Sequence, residues 1–169
     1  MNSADKWEPN LWEEKQQLVV DTSVCIDLFN GGILHEVAKL RYHFLLPDVI
    51  LAEELRDPPA ETFTGAGFIP SGTSGNEMYI LEELSAKYGK PSRNDLFALT
   101  IAKSRGLILL SGDKDLGSAA KKEKVEVHGT IWILDQLVAE TIITQSAAAK
   151  ALEEMLKAEA RLPNDDCQD

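Results

Sequence analysis

Short runs of β-branched residues and leucine alternate along the chain with longer stretches of helical spacing. Leu18-Val19-Val20 reads as a buried strand ending at Asp21. Thr22-Ser23 then opens a helix over 24–29, which Asn30-Gly31-Gly32 stops. A helix over 33–41, a strand over 43–46 and a helix over 47–55 follow, the last closed by Asp57-Pro58-Pro59. Residues 60–75 are rich in Gly, Thr, Ser and Pro, which predicts mostly loop with a short extended piece at 67–70. Helical spacing returns over 76–88 and breaks at Gly89-Lys90-Pro91. Ser92 can cap a helix over 93–104, with Gly106 as its stop. Leu107-Ile108-Leu109-Leu110 is a continuous apolar run of the kind buried on both faces of a parallel sheet. It ends at Ser111-Gly112-Asp113, before a helix over 114–122, a strand over 125–127 and helices over 129–138 and 145–160. Strands alternating with helices predict an α/β fold, a three-layer sandwich whose central parallel sheet carries helices on both faces. The expected organisation is a polar N-terminal extension (1–17), one domain (18–163) and an acidic tail (164–169).

Composition narrows the function. With 17 Lys and Arg against 28 Asp and Glu, the net charge is −11. A passive nucleic-acid coat is basic, because its cations displace counterions from phosphates. An acidic chain handles phosphates only where a divalent cation supplies the positive charge locally. No apolar run reaches the roughly 20 residues of a membrane helix. The N-terminus mixes acids with Trp7 and Trp12 and lacks a signal-peptide pattern, so a cytoplasmic protein is expected. Cys25 lies in an apolar helix start and Cys167 in the polar tail, which fits a reducing compartment without a bridge.

The candidate chemistry lies in the acids. Ligands of open α/β sheets bind beyond the C-terminal strand ends, where Asp21 and Asp113 fall. Asp95, beside Asn94, sits in a helix first turn, and Glu53 and Glu54 interrupt the apolar 49–55 helix. Singly, each acid reads as a cap, a turn or a solvated face. Together at one sheet edge they would repel, and such clusters persist mainly where a cation neutralises them. All-oxygen ligands suit Mg²⁺ or Mn²⁺. His35, His43 and His128 are isolated, so zinc spacing is absent.

Other phosphate chemistries fit less well. A haloacid-dehalogenase-type phosphatase wants a second Asp at position 23, which is serine, and a receiver domain wants an acidic pair where Val20-Asp21 supplies one acid. No P-loop, dinucleotide fingerprint or serine nucleophile elbow occurs.

In this order the motifs resemble a PIN domain. Leu18-Val-Val-Asp-Thr-Ser is similar to the family's opening strand with its first acidic ligand. Val49-Ile-Leu-Ala-Glu is similar to the helix carrying the second, which favours Glu53 over Glu54. Asn94-Asp95-Leu-Phe-Ala-Leu-Thr-Ile-Ala resembles the helix of the third, and Leu109-Leu-Ser-Gly-Asp-Lys-Asp-Leu the strand end of the fourth, Asp113. Val127-His-Gly-Thr-Ile-Trp-Ile-Leu-Asp resembles a bacterial and archaeal subgroup close to VapC-type toxins. The resemblance spans Leu18 to about Pro163.

It implies a metal-dependent endoribonuclease, the toxin component of a type II toxin–antitoxin pair, leaving 5′-phosphate and 3′-hydroxyl ends. The alternative is a non-catalytic PIN-fold binding or assembly module. Asp21, Glu53, Asp95 and Asp113 would hold Mg²⁺ or Mn²⁺ and carry catalysis. Thr22, Ser23, Asn94 and Ser111 would orient those carboxylates. Asp115, two residues from Asp113, would support or cap rather than share its face. RNA is the expected substrate, with a cognate antitoxin and a second copy of the chain as partners and no membrane. Arg93, Lys103, Arg105, Lys114 and the Lys121-Lys122-Glu123-Lys124 run are the cations available to grip RNA. Gly65, Gly67, Gly72 and Gly75 leave the 60–75 segment two equal readings, a loop that adapts to RNA or to a partner and a plain surface loop.

Overall fold

The computed structural model describes residues 15–158. The expected extension up to residue 14 and the tail from residue 159 lie outside the described residues. Strands β1 (Gln16–Val20), β2 (Tyr42–Pro47), β3 (Ile69–Ser71), β4 (Ile108–Leu110) and β5 (Val127–His128) form one sheet, ordered β3-β2-β1-β4-β5. Every pairing in it is parallel. From β3 the chain crosses back over the sheet to lay β4 beside β1, so the topological switch falls between those two strands.

The period-two geometry of strands divides the side chains between two cores. Leu18, Val20, Phe44, Leu46, Ile108 and Leu110 face one side, with α1 (Thr22–Asn30), α2 (Leu34–Val37), α8 (Thr130–Ala139) and α9 (Gln145–Lys157). Val19 and Leu109 face the other, with α5 (Gly75–Lys87), α6 (Arg93–Arg105) and α7 (Lys114–Lys122). Two-sided burial explains why the central strands read as unbroken apolar runs. Each fully buried Leu or Val contributes roughly 1.5–3 kcal/mol, and that is what holds short strands flat between helices. The three-layer α/β sandwich expected from the sequence is the observed fold.

Local chemistry sets several boundaries. Ser74 and Ser92 open α5 and α6 with reciprocal capping boxes to Glu77 and Asp95. Gly106, with φ of 66°, ends α6 in the left-handed region that glycine tolerates without a Cβ clash.

Elsewhere tertiary packing overrides the sequence reading. The 60–75 segment is not mostly loop, because α4 (Ala60–Gly65) forms there. Its Thr and Gly favour no helix, but Phe63 is fully buried, edge-on to Phe68 at 6.0 Å, and that burial holds the turn. The helix expected over 33–41 shrinks to α2, since the chain must already be extended at Tyr42 to pair with Gln16. The last strand shifts from 125–127 to β5, whose Val127 and His128 pair with Leu109 and Leu110 while Val125 packs in the second core. The short helix α3 (Asp48–Glu53) starts directly after β2 and ends at the paired glutamates.

Candidate active site

Val20 pairs with Leu110, and the Asp21 amide donates to the Leu110 carbonyl at 2.9 Å. The residues that follow these two strands are thereby held side by side. Asp21, only 2 % exposed, is the buried centre of a hydroxyl network. Its Oδ1 accepts from the Ser23 amide at 2.5 Å and the Ser23 hydroxyl at 2.6 Å, and its Oδ2 accepts from the Ser111 hydroxyl. Each hydroxyl also accepts a backbone amide: Ser23 Oγ that of Gly112 across the gap between the two strand ends at 3.1 Å, and Ser111 Oγ that of Asp113 within its own loop at 3.0 Å. Both serine protons are thus directed at Asp21, and the two strand ends are cross-tied. An ionised carboxylate offers about four acceptor positions. Three are used here, which leaves one on Oδ2.

The other acids converge from separate elements. Asp95, half-buried in the first turn of α6, accepts from the Ser92 amide through Oδ2 at 2.9 Å. Asp113 caps α7, its Oδ1 accepting from the Leu116 amide at 2.8 Å. Asn94 Nδ2 donates to both glutamates at the end of α3, to Glu53 at 3.0 Å and Glu54 at 3.3 Å. Thr22 also donates to Glu54. Asp115 is exposed in the first turn of α7.

Electrostatics report which acids feel one another. Burial pushes the Asp21 carboxyl up to about 6; the Ser111 and Ser23 hydrogen bonds oppose this, and the Asp95 charge adds to it. The Asp95 carboxyl is raised first by burial, against its Ser92 bonds, and then by the charges of Asp113 and Glu54. The charges of Asp113 and Glu54 thus bear on Asp95, and that of Asp95 bears on Asp21. The motif resemblance favours Glu53, whereas Glu54 is the one that Thr22 and Asn94 both hold and whose charge raises the Asp95 carboxyl.

The donor set is entirely oxygen, as Mg²⁺ and Mn²⁺ require. Asp95 and Asp113 each commit one oxygen to a helix cap. Among the described residues, no three His, Cys, Asp or Glu side chains are gathered closely enough to hold one metal ion. Like charges in a half-buried pocket move apart when local N–H and O–H donors are available, and each acid here has taken one.

Besides Arg93, which pairs with Glu82 at 2.9 Å, two of the expected RNA-gripping cations are committed elsewhere. Arg105 holds the buried Glu77 with two 3.0 Å bonds and donates to Ser71 Oγ and the Gly72 carbonyl, each at 2.8 Å. Lys103 pairs with Glu123 at 2.7 Å, beside Lys87 and the Tyr88 hydroxyl. Both carry solvent-facing charge in the sequence, and only the fold reveals their partners. A cleft of about 230 Å³ lined by Lys103 and Glu123 lies at the opposite sheet edge, near Gln16 and Ile108. Arg93, Lys114, Lys121, Lys122 and Lys124 are exposed.

The hydroxyl-braced acids lie at the switch point of the sheet, where ligands of open α/β sheets bind. The family model DUF3368, described as a PIN domain, matches residues 17–169, and the chain belongs to that family. PIN domains are generally nucleases and typically use divalent metal ions. No curated protein matches the chain significantly. Among solved structures the chain is similar to a PilT N-terminus domain protein, SSO1118, from the hyperthermophilic archaeon Sulfolobus solfataricus P2. The match has a TM-score of 0.52 at 18 % identity, covering 73 % of this chain and 92 % of that one, a likeness of fold.

Proposed function

We propose that the protein is a divalent-metal-dependent endoribonuclease whose site is formed by Asp21, Asp95, Asp113 and the Glu53–Glu54 pair. One observation carries this reading. Hydrogen bonds tie four acidic segments together: Thr22, beside Asp21, and Asn94, beside Asp95, both donate to Glu54, and Ser111, two residues before Asp113, donates to Asp21, so that like charges face one another. A fold gains nothing from such repulsion unless a cation relieves it.

Asp21, Glu54, Asp95 and Asp113 would hold Mg²⁺ or Mn²⁺, with Glu53 kept alongside by Asn94. Bound there, the ion supplies positive charge for the scissile phosphate and acidifies water for in-line attack. The chain's own residues do the positioning. Ser23 and Ser111 aim Asp21, Asn94 and Thr22 fix the glutamates, and the first turn of α6 holds Asp95. Without the cation the acids repel a phosphodiester, which ties activity to metal. The finer reading is a VapC-like toxin, cytoplasmic and homodimeric, held by a cognate antitoxin. Its support is the resemblance of the 127–135 segment.

A second reading, the non-catalytic PIN-fold module, is favoured by one observation: each acid already accepts a hydrogen bond from a cap, a hydroxyl or the Asn94 amide. One experiment separates the two. Purified protein is incubated with labelled single-stranded RNA in Mn²⁺, in Mg²⁺ and in EDTA, beside Asp95→Asn. Metal-dependent cutting lost in the variant supports the nuclease. No cutting by folded protein free of copurified inhibitor rejects it in favour of the module.

A further inference from the structure

Beyond the acids, Pro47, Asp48, Val49, Gly72, Thr73 and Phe97 line a cleft of about 160 Å³. It adjoins the candidate site through two shared elements. Phe97 lies three residues after Asn94, on the same face of α6. Asp48 and Val49 open α3, the helix that ends at Glu53.

The cleft has a fixed rim. Arg105 clamps Ser71 Oγ and the Gly72 carbonyl while its other bonds hold buried Glu77, so the 71–77 segment is fastened to the end of α6. A Cβ on Gly72 would stand 3.2 Å from Asp48 Oδ2, so the glycine leaves that carboxylate its space. The Arg93 guanidinium, paired with Glu82 at 2.9 Å, lies 5.7 Å from the Phe97 ring centroid.

Size and chemistry select an occupant. Pockets for drug-sized ligands start at roughly 300 Å³. This one equals the liquid volume of about five waters, room for a single planar heterocycle. An aromatic wall takes a base by stacking. A carboxylate only accepts hydrogen bonds, so Asp48 selects a base edge rich in N–H donors. Guanine presents two adjacent N–H groups there; uracil presents one.

We infer that the cleft holds one unstacked guanine of the RNA strand, next to the phosphate at the carboxylates, an inference that rests on the nuclease reading. The test uses isotope-labelled full chain in excess Mg²⁺, where a mononucleotide offers no phosphodiester to cut, titrated with 5′-GMP or 5′-UMP and followed by amide NMR shifts. GMP is expected to shift Val49, Gly72, Thr73 and Phe97 and to bind about tenfold tighter than UMP, the discrimination of one bidentate base contact. Asp48→Ala, a change at an exposed helix start, should bring the two nucleotides within about twofold of each other. Equal binding by the wild type, shifts confined to other residues, or a preference that survives Asp48→Ala in a folded variant would overturn the inference. The cleavage assay keeps the two readings apart. Cleavage without GMP shifts at the cleft rejects the guanine site and keeps the nuclease. GMP-selective shifts without cleavage support the site and reject the nuclease.

Discussion

The burial of Asp21 sets up a measurable conflict between charge and stability. At neutral pH its carboxylate is ionised although burial pushes its pKa up to about 6, against an ordinary 3.8. Two pK units correspond to about 3 kcal/mol of unfavourable burial above pH 6. The folded chain holds the Asp21 proton more tightly than the unfolded chain. Its contribution to stability therefore falls as pH rises from about 4 to about 6 and is level above that. Asp21→Asn removes the charge but keeps an acceptor for the Ser23 amide. One of the two serine hydroxyls must then reorient, at a cost of about 1 kcal/mol. The variant should be more stable than the wild type by about 1–2 kcal/mol at pH 7.5 in EDTA, a Tm rise of about 2–8 °C for a chain of this size. At pH 4.5 the difference should vanish or reverse. Denaturant titrations at the two pH values, with and without several millimolar Mn²⁺, provide the assay. Mn²⁺ should stabilise the wild type by RT ln(1 + [L]/Kd), and the variant less. Equal destabilisation at both pH values, with no response to Mn²⁺, would show that Asp21 is a structural cap rather than a strained ligand.

Other predictions address the remaining parts of the site and its frame. Asp95→Asn should abolish cleavage while circular dichroism shows an unchanged fold; a variant that still cuts RNA takes Asp95 out of the site. Glu54→Gln should reduce cleavage about 100-fold or more and Glu53→Gln by less than tenfold, the scale on which loss of a metal ligand exceeds loss of its support; the reverse order in single-turnover rates would assign the metal to Glu53. The Arg105 guanidinium beside Glu77 holds that carboxyl down to about 2, so the pair contributes above pH 4.5 and is lost as pH falls from 4.5 towards 2. Arg105→Met should erase that acid-side slope in denaturant titrations and speed amide exchange at Gly72 and Thr73. Gly31→Ala places a Cβ 2.5 Å from Met155 Cε; it should cost about 1–3 kcal/mol by overpacking, and Gly31→Ala with Met155→Ala should cost less in denaturant titrations than the two single losses added, because the truncation removes the clash.

Much of this protein is legible locally. Val20-Asp21-Thr22 and Leu110 through Asp113 mark strand ends because an apolar run stops at residues that cap helices, and both signals lie within a few positions. Ser92, Asp95 and Gly106 bracket α6 for the same reason, since capping is local chemistry. The α/β class follows from the alternation of such runs. The acids, too, are visible as types at strand ends and helix starts.

What the sequence left open depends on distance. It could not show that Ser23 and Ser111 both spend their protons on Asp21, because 90 residues separate Ser111 from it. Nor could it separate Glu53 from Glu54, adjacent in the chain but unequal in the field at Asp95. Arg105 looked free for RNA until the fold brought Glu77 to it, and 60–65 looked like loop until Phe63 found its pocket under β2. In each case the local preference is a fraction of a kcal/mol, whereas burial or a paired charge is worth several times that. Local chemistry fixed where capped helices such as α5, α6 and α7 start; the bounds of α2, α4 and β5, and which side chains meet, were decided by long-range pairing and burial.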